Sequence, residues 1–377
     1  MKIVFISAYF SHHQKPFSEA MYNLLDNQFS YIETSKMSEE RLKLGYKPET
    51  ASYVRSVDEQ TPMLIEDAEI AIFGGAPRNL IDSRLNKNKI VFFYSERIYK
   101  SGYDIWKFPA RLITFWKNYG KYKNLYMLCS SAYTAFDYAR HFTFLNKTYK
   151  WGYFPETKKY DIDDLVKSKR KNVILWCGRF LDWKHPDDAI KIAKRLKDDG
   201  YSFDFRIIGT GQMEESLKNM ISKYQLQDYV HMLGSMTPEQ VRENMEEAGI
   251  YVFTSDFNEG WGSVLNESMN SGCAVVASHA IGSVPFLIKN NENGLIYKNG
   301  DLDSLYNKVK YLIDNPDKQE VFGKNAYHTI VDLWNAEVAA QRFLKFSEEI
   351  EKYGYCDLYD DGPCSRAEVI KNDWFRE

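Results

Sequence analysis

Short apolar runs alternate with amphipathic, helix-like stretches along almost the whole chain. The apolar runs of the first half fall at residues 2–10, 69–73, 90–94, 125–129 and 150–154, and helix-like stretches lie between them at 18–25 and 132–141. A second series of runs lies at residues 173–177, 204–208, 230–233, 250–254 and 274–277. This alternation predicts two parallel sheets, each covered by helices on both faces, and therefore an α/β fold.

The polar and charged stretch 155–170 interrupts this pattern and is typical of a connection between domains. A length of 377 residues also suits two domains of about 150 to 200 residues better than one. We predict a first domain over residues 1–154, a linker over 155–170 and a second domain over 171–334. A helical pattern begins near residue 333 and leads into the C-terminal segment 335–377.

Two glutamates flank a glycine-rich turn that follows the apolar run 249–254. Glu259 and Glu267 lie eight residues apart, and the residues after Gly262 predict a helix over 263–270. The first amides of a helix lack internal partners and carry partial positive charge, which suits a diphosphate. Carboxylates beside such an anion are suited to accepting hydrogen bonds from the neutral hydroxyls of a sugar and a ribose. The turn favours a sugar nucleotide, although a surface loop with two solvated glutamates has the same pattern.

The loop after the first strand of the second series carries two cations, Arg179 and Lys184. A guanidinium chelates phosphate oxygens and an ammonium acts as a compact charge, so the pair suits a diphosphate and would offset its charge as it departs. A solvated loop explains the same residues. After the next strand, the turn Gly209-Thr210-Gly211 predicts a close approach of the backbone to a ligand. It lacks the third glycine of a dinucleotide fingerprint, so we expect no NAD.

The composition excludes several classes of function. The formal net charge of -3 and the sequence pI of about 6.2 argue against a nucleic-acid-binding protein. The five cysteines are odd in number and scattered, which indicates a reducing compartment rather than a disulfide framework. Residues 1–7 show no cleavable signal, and no apolar run approaches the roughly 20 residues of a membrane span. We therefore predict a cytoplasmic protein, with contact to the inner face of the membrane left open.

Four motifs follow one another in a specific order along the second series of apolar runs. They are Gly178-Arg179 with Lys184, Gly209-x-Gly211, the strand end Leu233-Gly234, and Glu259-x7-Glu267 followed by the apolar segment 271–278. The ordered set resembles the retaining glycosyltransferases of family 4, the glycosyl transferases group 1 type, which have the GT-B fold. The resemblance extends over residues 172–345, and the combination is specific although each motif alone is not.

The resemblance implies two Rossmann-like domains that face each other across a cleft, with the helices of residues 335–377 packing back on the first domain. It implies transfer of a hexose, with retention at the anomeric carbon, from a UDP- or GDP-linked sugar to a hydroxyl of a glycan or a lipid-linked saccharide. No metal ion or other cofactor would be required, and no nucleic acid would be bound. The implied setting is the synthesis of bacterial surface polysaccharide.

By resemblance, the motifs also have roles at the donor. Arg179 and Lys184 would hold the donor diphosphate and would be catalytic. Glu267 would bind the ribose hydroxyls, and Glu259 would face the donor sugar near its reacting carbon, as a further catalytic residue. The other positions that the resemblance places around the donor are Gly178, Gly209, Gly211, Leu233, Gly262, Ser263 and Val264.

The loop after the first strand departs from the family pattern. Family members often have a glycine-rich loop there, whereas this chain has His12, His13 and Gln14, which we assign to the acceptor side. Adjacent histidines cannot readily share one metal ion, so we expect no metal site here. A hydrogen bond from one of them to the acceptor or to phosphate is the hypothesis that remains.

A second departure follows the run 90–94. The family often has a histidine near the donor sugar at this point, whereas this chain has Glu96 followed by Arg97. A carboxylate at the carboxyl end of a strand would orient or deprotonate the acceptor hydroxyl, which makes Glu96 a candidate catalytic residue. A salt bridge from Glu96 to Arg97 or to another cation is the competing interpretation.

Residues 97–126 are basic and aromatic. They hold seven Lys or Arg against the single acid Asp104, together with aromatic residues that include Trp106 and Trp116. Cations attract anionic headgroups while Trp and Tyr settle at the interface, so the segment is a candidate membrane face for a lipid-linked acceptor. The alternative is that several of these aromatic residues belong to the core and that the lysines are merely solvated.

Two other functions fit the same motifs. A nucleotide-sugar epimerase or hydrolase would share the fold and the donor site, and it would consume the sugar nucleotide without an acceptor. A non-catalytic partner that binds a sugar nucleotide is the other alternative. Such a protein tends to lose the cations or the glutamates, and this chain keeps Arg179, Lys184, Glu259 and Glu267.

Overall fold

The computed structural model describes residues 1–39, 48–100 and 102–376. The chain forms two compact units. The first contains Met1–Glu156 and Leu333–Lys371, and the second contains Thr157–Asp332 together with the residues from Asn372 onward. Each unit is organised around one parallel sheet, which confirms the predicted α/β class.

The first unit has a sheet of seven strands among the described residues, in the order β3-β2-β1-β4-β5-β6-β7. The strands are β1 Ile3–Ser7, β2 Phe29–Glu33, β3 Val54–Ser56, β4 Ile70–Gly74, β5 Val91–Ser95, β6 Leu125–Cys129 and β7 Thr148–Lys150. Helices of this unit are Lys15–Leu25, Thr61–Asp67, Asn79–Asn86, Phe108–Phe115, Thr134–Ala139 and Ala336–Tyr353. The inner strands are buried on both faces, and this is why they appear in the sequence as unbroken apolar runs.

The second unit has a sheet of six strands among the described residues, in the order β10-β9-β8-β11-β12-β13. The strands are β8 Arg170–Cys177, β9 Asp204–Ile208, β10 Val230–Gly234, β11 Ala248–Phe253, β12 Ala274–Ser278 and β13 Leu295–Tyr297. Helices of this unit are Ile162–Ser168, Pro186–Asp198, Glu214–Lys223, Pro238–Glu247, Val264–Asn270, Val284–Leu287, Leu302–Asp314 and Pro316–His328.

In both sheets the strand order reverses at the centre. The neighbours at the reversal are β1 and β4 in the first sheet, and β8 and β11 in the second. At such a reversal the connecting helices pass to opposite faces of the sheet and leave a crevice outside the carboxyl ends of the strands, where ligands bind. In the second unit, the loops that follow β8 and β11 are residues 178–184 and 254–262, so both lie at this position.

Not every strand was predicted at the right place. The predicted run 150–154 belongs to strand β7, but the strand covers Thr148–Lys150 and ends where the apolar residues begin. Trp151 and Phe154 are buried because their rings pack on Phe17, at centroid distances of 5.0 and 6.2 Å. Their apolar character therefore reflects side-chain packing and not a place in the sheet. Strands β2, β3 and β13 were not predicted.

The boundary between the units differs from the predicted linker 155–170. Residues from Thr157 onward belong to the second unit. The backbone N–H of Tyr160 donates to the hydroxyl of Tyr327 at 2.8 Å. The ammonium of Lys169 is buried and donates to backbone carbonyl oxygens that include Met245 O and Ala248 O, at 2.7 and 3.0 Å. Tyr160 and Lys169 therefore make hydrogen bonds inside the second unit, and Ile162–Ser168 between them forms one of its helices, so this part of the predicted linker belongs to the second unit.

The helix Ala336–Tyr353 starts three residues later than predicted and packs on the first unit. The ring of Phe343 lies 6.2 Å from that of Phe17 and 5.2 Å from that of Phe92. An irregular segment follows and lies along strand β7, where Cys364 N donates to Lys150 O at 2.9 Å. The chain then returns to the second unit from Asn372 onward, so the predicted assignment of 335–377 to the first domain applies only as far as residue 371.

No helix in the described residues is both long and apolar enough to cross a membrane.

Candidate functional site

The loop that follows β8 is braced by the glycine turn that follows β9. Gly178 N donates to Ile208 O at 3.0 Å, and Phe180 N donates to Thr210 O at 2.8 Å. Gly209 has a φ of +141°, and a Cβ there would lie 1.9 Å from Gly178 O. A Cβ on Gly211 would lie 2.6 Å from Phe180 O. The structure thus shows a close approach of this turn to the neighbouring loop, which fixes the backbone around Arg179. The predicted approach of the turn to a ligand stays a prediction.

Lys184 and Glu259 form an ion pair in the second unit. The distance from Lys184 Nζ to Glu259 Oε2 is 2.5 Å, and each side chain is 12% exposed. Ser255 Oγ donates to the same carboxylate oxygen at 3.0 Å. The Lys184 ammonium also lies 4.7 Å from the ring centroid of Trp183. Two of the predicted site residues, from the loops after β8 and β11, are therefore in direct contact.

Further side-chain and backbone hydrogen bonds join the loop after β11 to strand β8 and the loop that follows it. Trp176 Nε1 donates to Thr254 Oγ1 at 2.8 Å, and Thr254 Oγ1 donates to Lys184 O at 2.6 Å. Asp256 N donates to Trp183 O at 2.9 Å. Thr254 is fully buried, and so is nearly all of Trp176. The sequence analysis did not single out Thr254, although a polar residue at the end of the apolar run 249–254 was the available signal.

Glu267 lies in the helix Val264–Asn270, which begins after Gly262, a residue with a φ of +82°. Its backbone carbonyl accepts from Arg242 at 3.2 Å. Its carboxylate makes no ion pair or hydrogen bond with the part of the chain that the structure describes. Burial raises the pKa of this carboxyl group, and the charge of Arg242 opposes the shift. A partly buried carboxylate with a raised pKa marks a candidate functional group.

Tyr251 and Cys177 are buried groups whose pKa values respond to the charge of Glu267. Burial raises the pKa of the Tyr251 phenol well above its usual value, with further contributions from the charges of Glu267 and Glu259. Burial also raises the pKa of the Cys177 thiol to about 12, again with a contribution from Glu267. The Tyr251 hydroxyl donates to Cys177 O at 3.3 Å. Both groups are therefore neutral at pH 7, and neither was predicted from the sequence.

The remaining predicted donor-site positions also lie at the carboxyl ends of strands in the second unit. Arg179 is exposed, and its guanidinium makes no ion pair or hydrogen bond with the described residues. Leu233 is 36% exposed at the end of β10. The next residue, Gly234, accepts from Gly209 N through its carbonyl oxygen at 2.8 Å, which joins the loops after β9 and β10. Ser263 and Val264 form the start of the helix that carries Glu267.

In the first unit, Glu96 follows β5 and has both carboxylate oxygens occupied. Tyr153 OH donates to Oε1 at 2.8 Å, and Lys100 Nζ pairs with Oε2 at 2.7 Å. The competing interpretation of a salt bridge is therefore observed, with Lys100 as the cation. Arg97 pairs instead with the buried Asp137 at 3.4 Å.

The residues after β1 lie near the same tyrosine. The rings of His12 and His13 have centroids 4.0 Å apart, and His13 stacks on Tyr153 at 5.6 Å. Gln14 Oε1 accepts from Ser11 Oγ at 2.5 Å. Burial lowers the pKa of His12, so its imidazole is neutral at pH 7. His13 and Glu96 thus share Tyr153 as a neighbour.

The basic and aromatic segment 97–126 divides into packed and exposed residues; Ser101 lies outside the described residues. Tyr99 OH lies 2.5 Å from His141 Nε2 and belongs to an aromatic cluster with Phe115. The helix Phe108–Phe115 has no fully buried residue, and Phe115 is partly buried through its contact with this cluster. Exposed apolar side chains on and beside it are Trp106 at 91%, Ile113 at 58% and Trp116 at 58%. Some aromatic residues of the segment are therefore packed, as the alternative interpretation expects, while membrane contact through the exposed residues stays a prediction.

Residues 157–329 match the family model described as glycosyl transferases group 1. An uncharacterised glycosyltransferase of Methanocaldococcus jannaschii is 27% identical over 191 residues, which cover 50% of this chain and 48% of that protein. The amylovoran biosynthesis glycosyltransferase AmsK of Erwinia amylovora is 33% identical over 137 residues, covering 35% of this chain and 33% of AmsK. The chain thus spans half or less of the length of these curated relatives.

Similarity to solved structures covers nearly the whole chain. HepE of Anabaena, solved in complex with UDP, superposes with a TM-score of 0.68 at 13% identity, over 93% of this chain and 100% of HepE. A glycosyltransferase from Rickettsia africae superposes with a TM-score of 0.66 at 14% identity, over 93% of this chain and 99% of that protein. At these identities the similarity shows that the fold is shared.

Proposed function

We propose that this chain, whose residues 157–329 belong to the glycosyl transferases group 1 family and whose fold is GT-B, is a glycosyltransferase. The reaction is the transfer of a hexose from a UDP- or GDP-linked sugar to a hydroxyl of a glycan or a lipid-linked saccharide. The names of AmsK and of other relatives place them in polysaccharide biosynthesis, and we propose the same setting here.

The observation that carries this proposal is the carboxylate of Glu267. It is partly buried with a raised pKa, and it makes no ion pair or hydrogen bond within the described chain. A carboxylate is an acceptor of hydrogen bonds, and a pair of neighbouring ribose hydroxyls offers two donors to it. In the same unit, Lys184 and Arg179 supply positive charge for the diphosphate that such a ribose carries.

The proposed chemistry retains the configuration of the anomeric carbon and requires no metal ion. As the bond from the sugar to the diphosphate breaks, negative charge gathers on the diphosphate, and Lys184 and Arg179 stabilise it. The departing diphosphate accepts the proton of the incoming hydroxyl on the same face of the sugar. Lys184 and Ser255 hold the carboxylate of Glu259, and the role that we assign to it is to accept hydrogen bonds from the donor sugar.

On the acceptor side we propose an orienting role for Glu96, with His12, His13 and Gln14 as neighbouring contacts. Both oxygens of Glu96 already accept from Tyr153 and Lys100, which favours orientation over proton abstraction.

A panel of nucleotide sugars tests the proposed reaction. Calorimetry should detect binding of a UDP- or GDP-linked hexose, and NMR of the product should show the anomeric configuration of the donor. Consumption of the donor at the same rate without any acceptor would favour the epimerase or hydrolase alternative. Binding without consumption, across a broad panel of acceptors, would favour the non-catalytic alternative.

Glu267→Ala should weaken binding of the donor nucleotide by about 10- to 100-fold, since a hydrogen bond to a charged group contributes about 1.5 to 3 kcal/mol. Turnover at saturating donor should change much less, because the ribose contact is made equally before and during the reaction. Glu243→Ala, at an exposed glutamate of the same unit, is the matched control. Equal donor affinity in the two variants would contradict the assignment of Glu267 to the ribose.

We also propose that the exposed residues around the helix Phe108–Phe115 contact an anionic membrane. Trp106 and Trp116 should insert at the interface while neighbouring lysines attract headgroups. The protein should float with vesicles that contain phosphatidylglycerol at low salt and should be released at high salt. Replacing both tryptophans with alanine should abolish flotation, whereas alanine at the exposed Tyr353 and Tyr355 should not. Absence of flotation at low salt would remove the claim.

A further inference from the structure

Thr254 has a hydroxyl with no access to solvent, directly after strand β11. An indole N–H can only donate, so the bond from Trp176 Nε1 at 2.8 Å uses a lone pair of the Thr254 oxygen. The hydroxyl proton is then directed to Lys184 O at 2.6 Å. Because Thr254 has no solvent-exposed surface, its hydroxyl makes both hydrogen bonds inside the protein, accepting from Trp176 and donating to Lys184 O.

The carbonyl of Lys184 lies at the end of a helical turn, where no further turn of the same helix supplies a hydrogen-bond donor to it. Lys184 ends a short 3-10 turn, Asp182–Lys184, and the next residue, His185, has a left-handed φ of +48°. The loop is tied to the residues after β11 at two successive carbonyls, because Trp183 O accepts from Asp256 N at 2.9 Å. Glu259 lies in the same loop after β11 as Thr254 and Asp256. The hydrogen bonds of these two residues to the Lys184 loop therefore connect the backbones that carry the two members of the ion pair.

We propose that Thr254 is a positioning residue, which holds the main chain of Lys184 so that its ammonium meets the donor diphosphate. This inference rests on the proposed function. A lysine ammonium sits on a flexible four-carbon chain. The position of its charge therefore depends on the position of the Cα atom and on the partner that the ammonium binds. Thr254 fixes the Cα atom, and Glu259 fixes the ammonium. Neither Thr254 nor Trp176 touches the substrate in this scheme.

Thr254→Val tests the proposal because valine keeps the shape of threonine and removes the hydroxyl. We expect UDP or GDP to bind about 10- to 100-fold more weakly to this variant, and kcat to fall by at least as much, since a small misplacement of a charged group has an effect of this size. Thr254→Ser keeps the hydroxyl and should retain wild-type affinity and kcat within about 2-fold. Calorimetry with UDP and GDP and steady-state kinetics with the nucleotide sugar provide both readouts.

A lower stability of the folded protein must be distinguished from a displacement of Lys184. Thr254→Val also leaves the indole of Trp176 without its acceptor and should lower the melting temperature. Val309→Ala removes two methyl groups from the core of the same unit, far along the chain in the helix Leu302–Asp314. It should lower the melting temperature while leaving nucleotide affinity and kcat unchanged.

Each outcome decides the matter. If Thr254→Val keeps the affinity and kcat of Val309→Ala, the positioning role is wrong while the proposed glycosyltransferase stands. If Thr254→Ser is as impaired as Thr254→Val, the methyl group and not the hydroxyl is responsible, and the proposal is again wrong. If the wild-type protein binds neither UDP nor GDP and transfers no sugar, the proposed function itself fails, and this inference fails with it.

Discussion

Lys184→Ala is expected to lower kcat for sugar transfer by about 100- to 1000-fold, which is the size of effect seen when one group that stabilises developing charge is removed. Negative charge on the diphosphate grows as the bond to the sugar breaks, so the ammonium contributes more in the transition state than in the bound ground state. The affinity for the donor should therefore fall by a smaller factor than kcat. Arg179→Ala should likewise lower kcat by a larger factor than it lowers donor affinity. Steady-state kinetics measures kcat and calorimetry measures the affinity for the donor.

Lys194→Ala is the matched control, because the Lys194 side chain is 41% exposed and pairs with Asp198 on the helix Pro186–Asp198. Its kcat should equal that of the wild type. Lys184→Ala also leaves Glu259 without its cation, so a combined Lys184→Ala and Glu259→Gln variant separates the two effects. Identical losses of affinity and turnover in Lys184→Ala and Glu267→Ala would contradict the assignment of Lys184 to the transition state.

Gly209→Ala should destabilise the second unit by about 3 kcal/mol and abolish nucleotide binding, because its Cβ would lie 1.9 Å from Gly178 O. The carbonyl cannot move without displacing the loop that carries Arg179. The φ of +141° at Gly209 adds backbone strain for any residue with a side chain. Chemical denaturation and calorimetry with UDP and GDP measure the two effects.

Gly200→Ala controls for the backbone strain alone. Gly200 also has a positive φ, of +82°, but a Cβ there would meet nothing within 4 Å. This variant should lose about 1 kcal/mol and retain full nucleotide affinity. If Gly209→Ala loses no more stability and nucleotide affinity than Gly200→Ala, the close contact between Gly209 and the loop of Arg179 is not required for nucleotide binding.

The central strands, and the loops at their carboxyl ends, could be predicted from the sequence because a strand that is buried on both faces appears as an unbroken apolar run. This was sufficient to place Arg179, Lys184, Glu259 and Glu267 at the carboxyl ends of strands in one unit. The short strands β3 and β13 and the more polar β2 gave no such signal, since their residues are few or mixed.

Side-chain partners were the part that the sequence could not provide. Lys184 and Glu259 were given separate tasks, but in the folded chain they bind each other, and nothing in their spacing indicates that contact. Lys169 illustrates the same limit, because it lies in the predicted linker 155–170 whereas its ammonium donates to buried carbonyl oxygens of the second unit. Such pairings depend on tertiary geometry, which hydrophobic periodicity does not contain.

Synthesis of the chain imposes an order on its assembly, because the first unit is interrupted by residues 157–332. The helix Ala336–Tyr353, whose Phe343 covers Phe17 and Phe92, leaves the ribosome only after that whole insertion. At translation rates of about 5 to 20 residues per second, the delay is roughly 10 to 40 s. The nascent first half must wait that long with an uncovered apolar face, so it is a natural client for a chaperone, and shortening the late helix should yield insoluble protein.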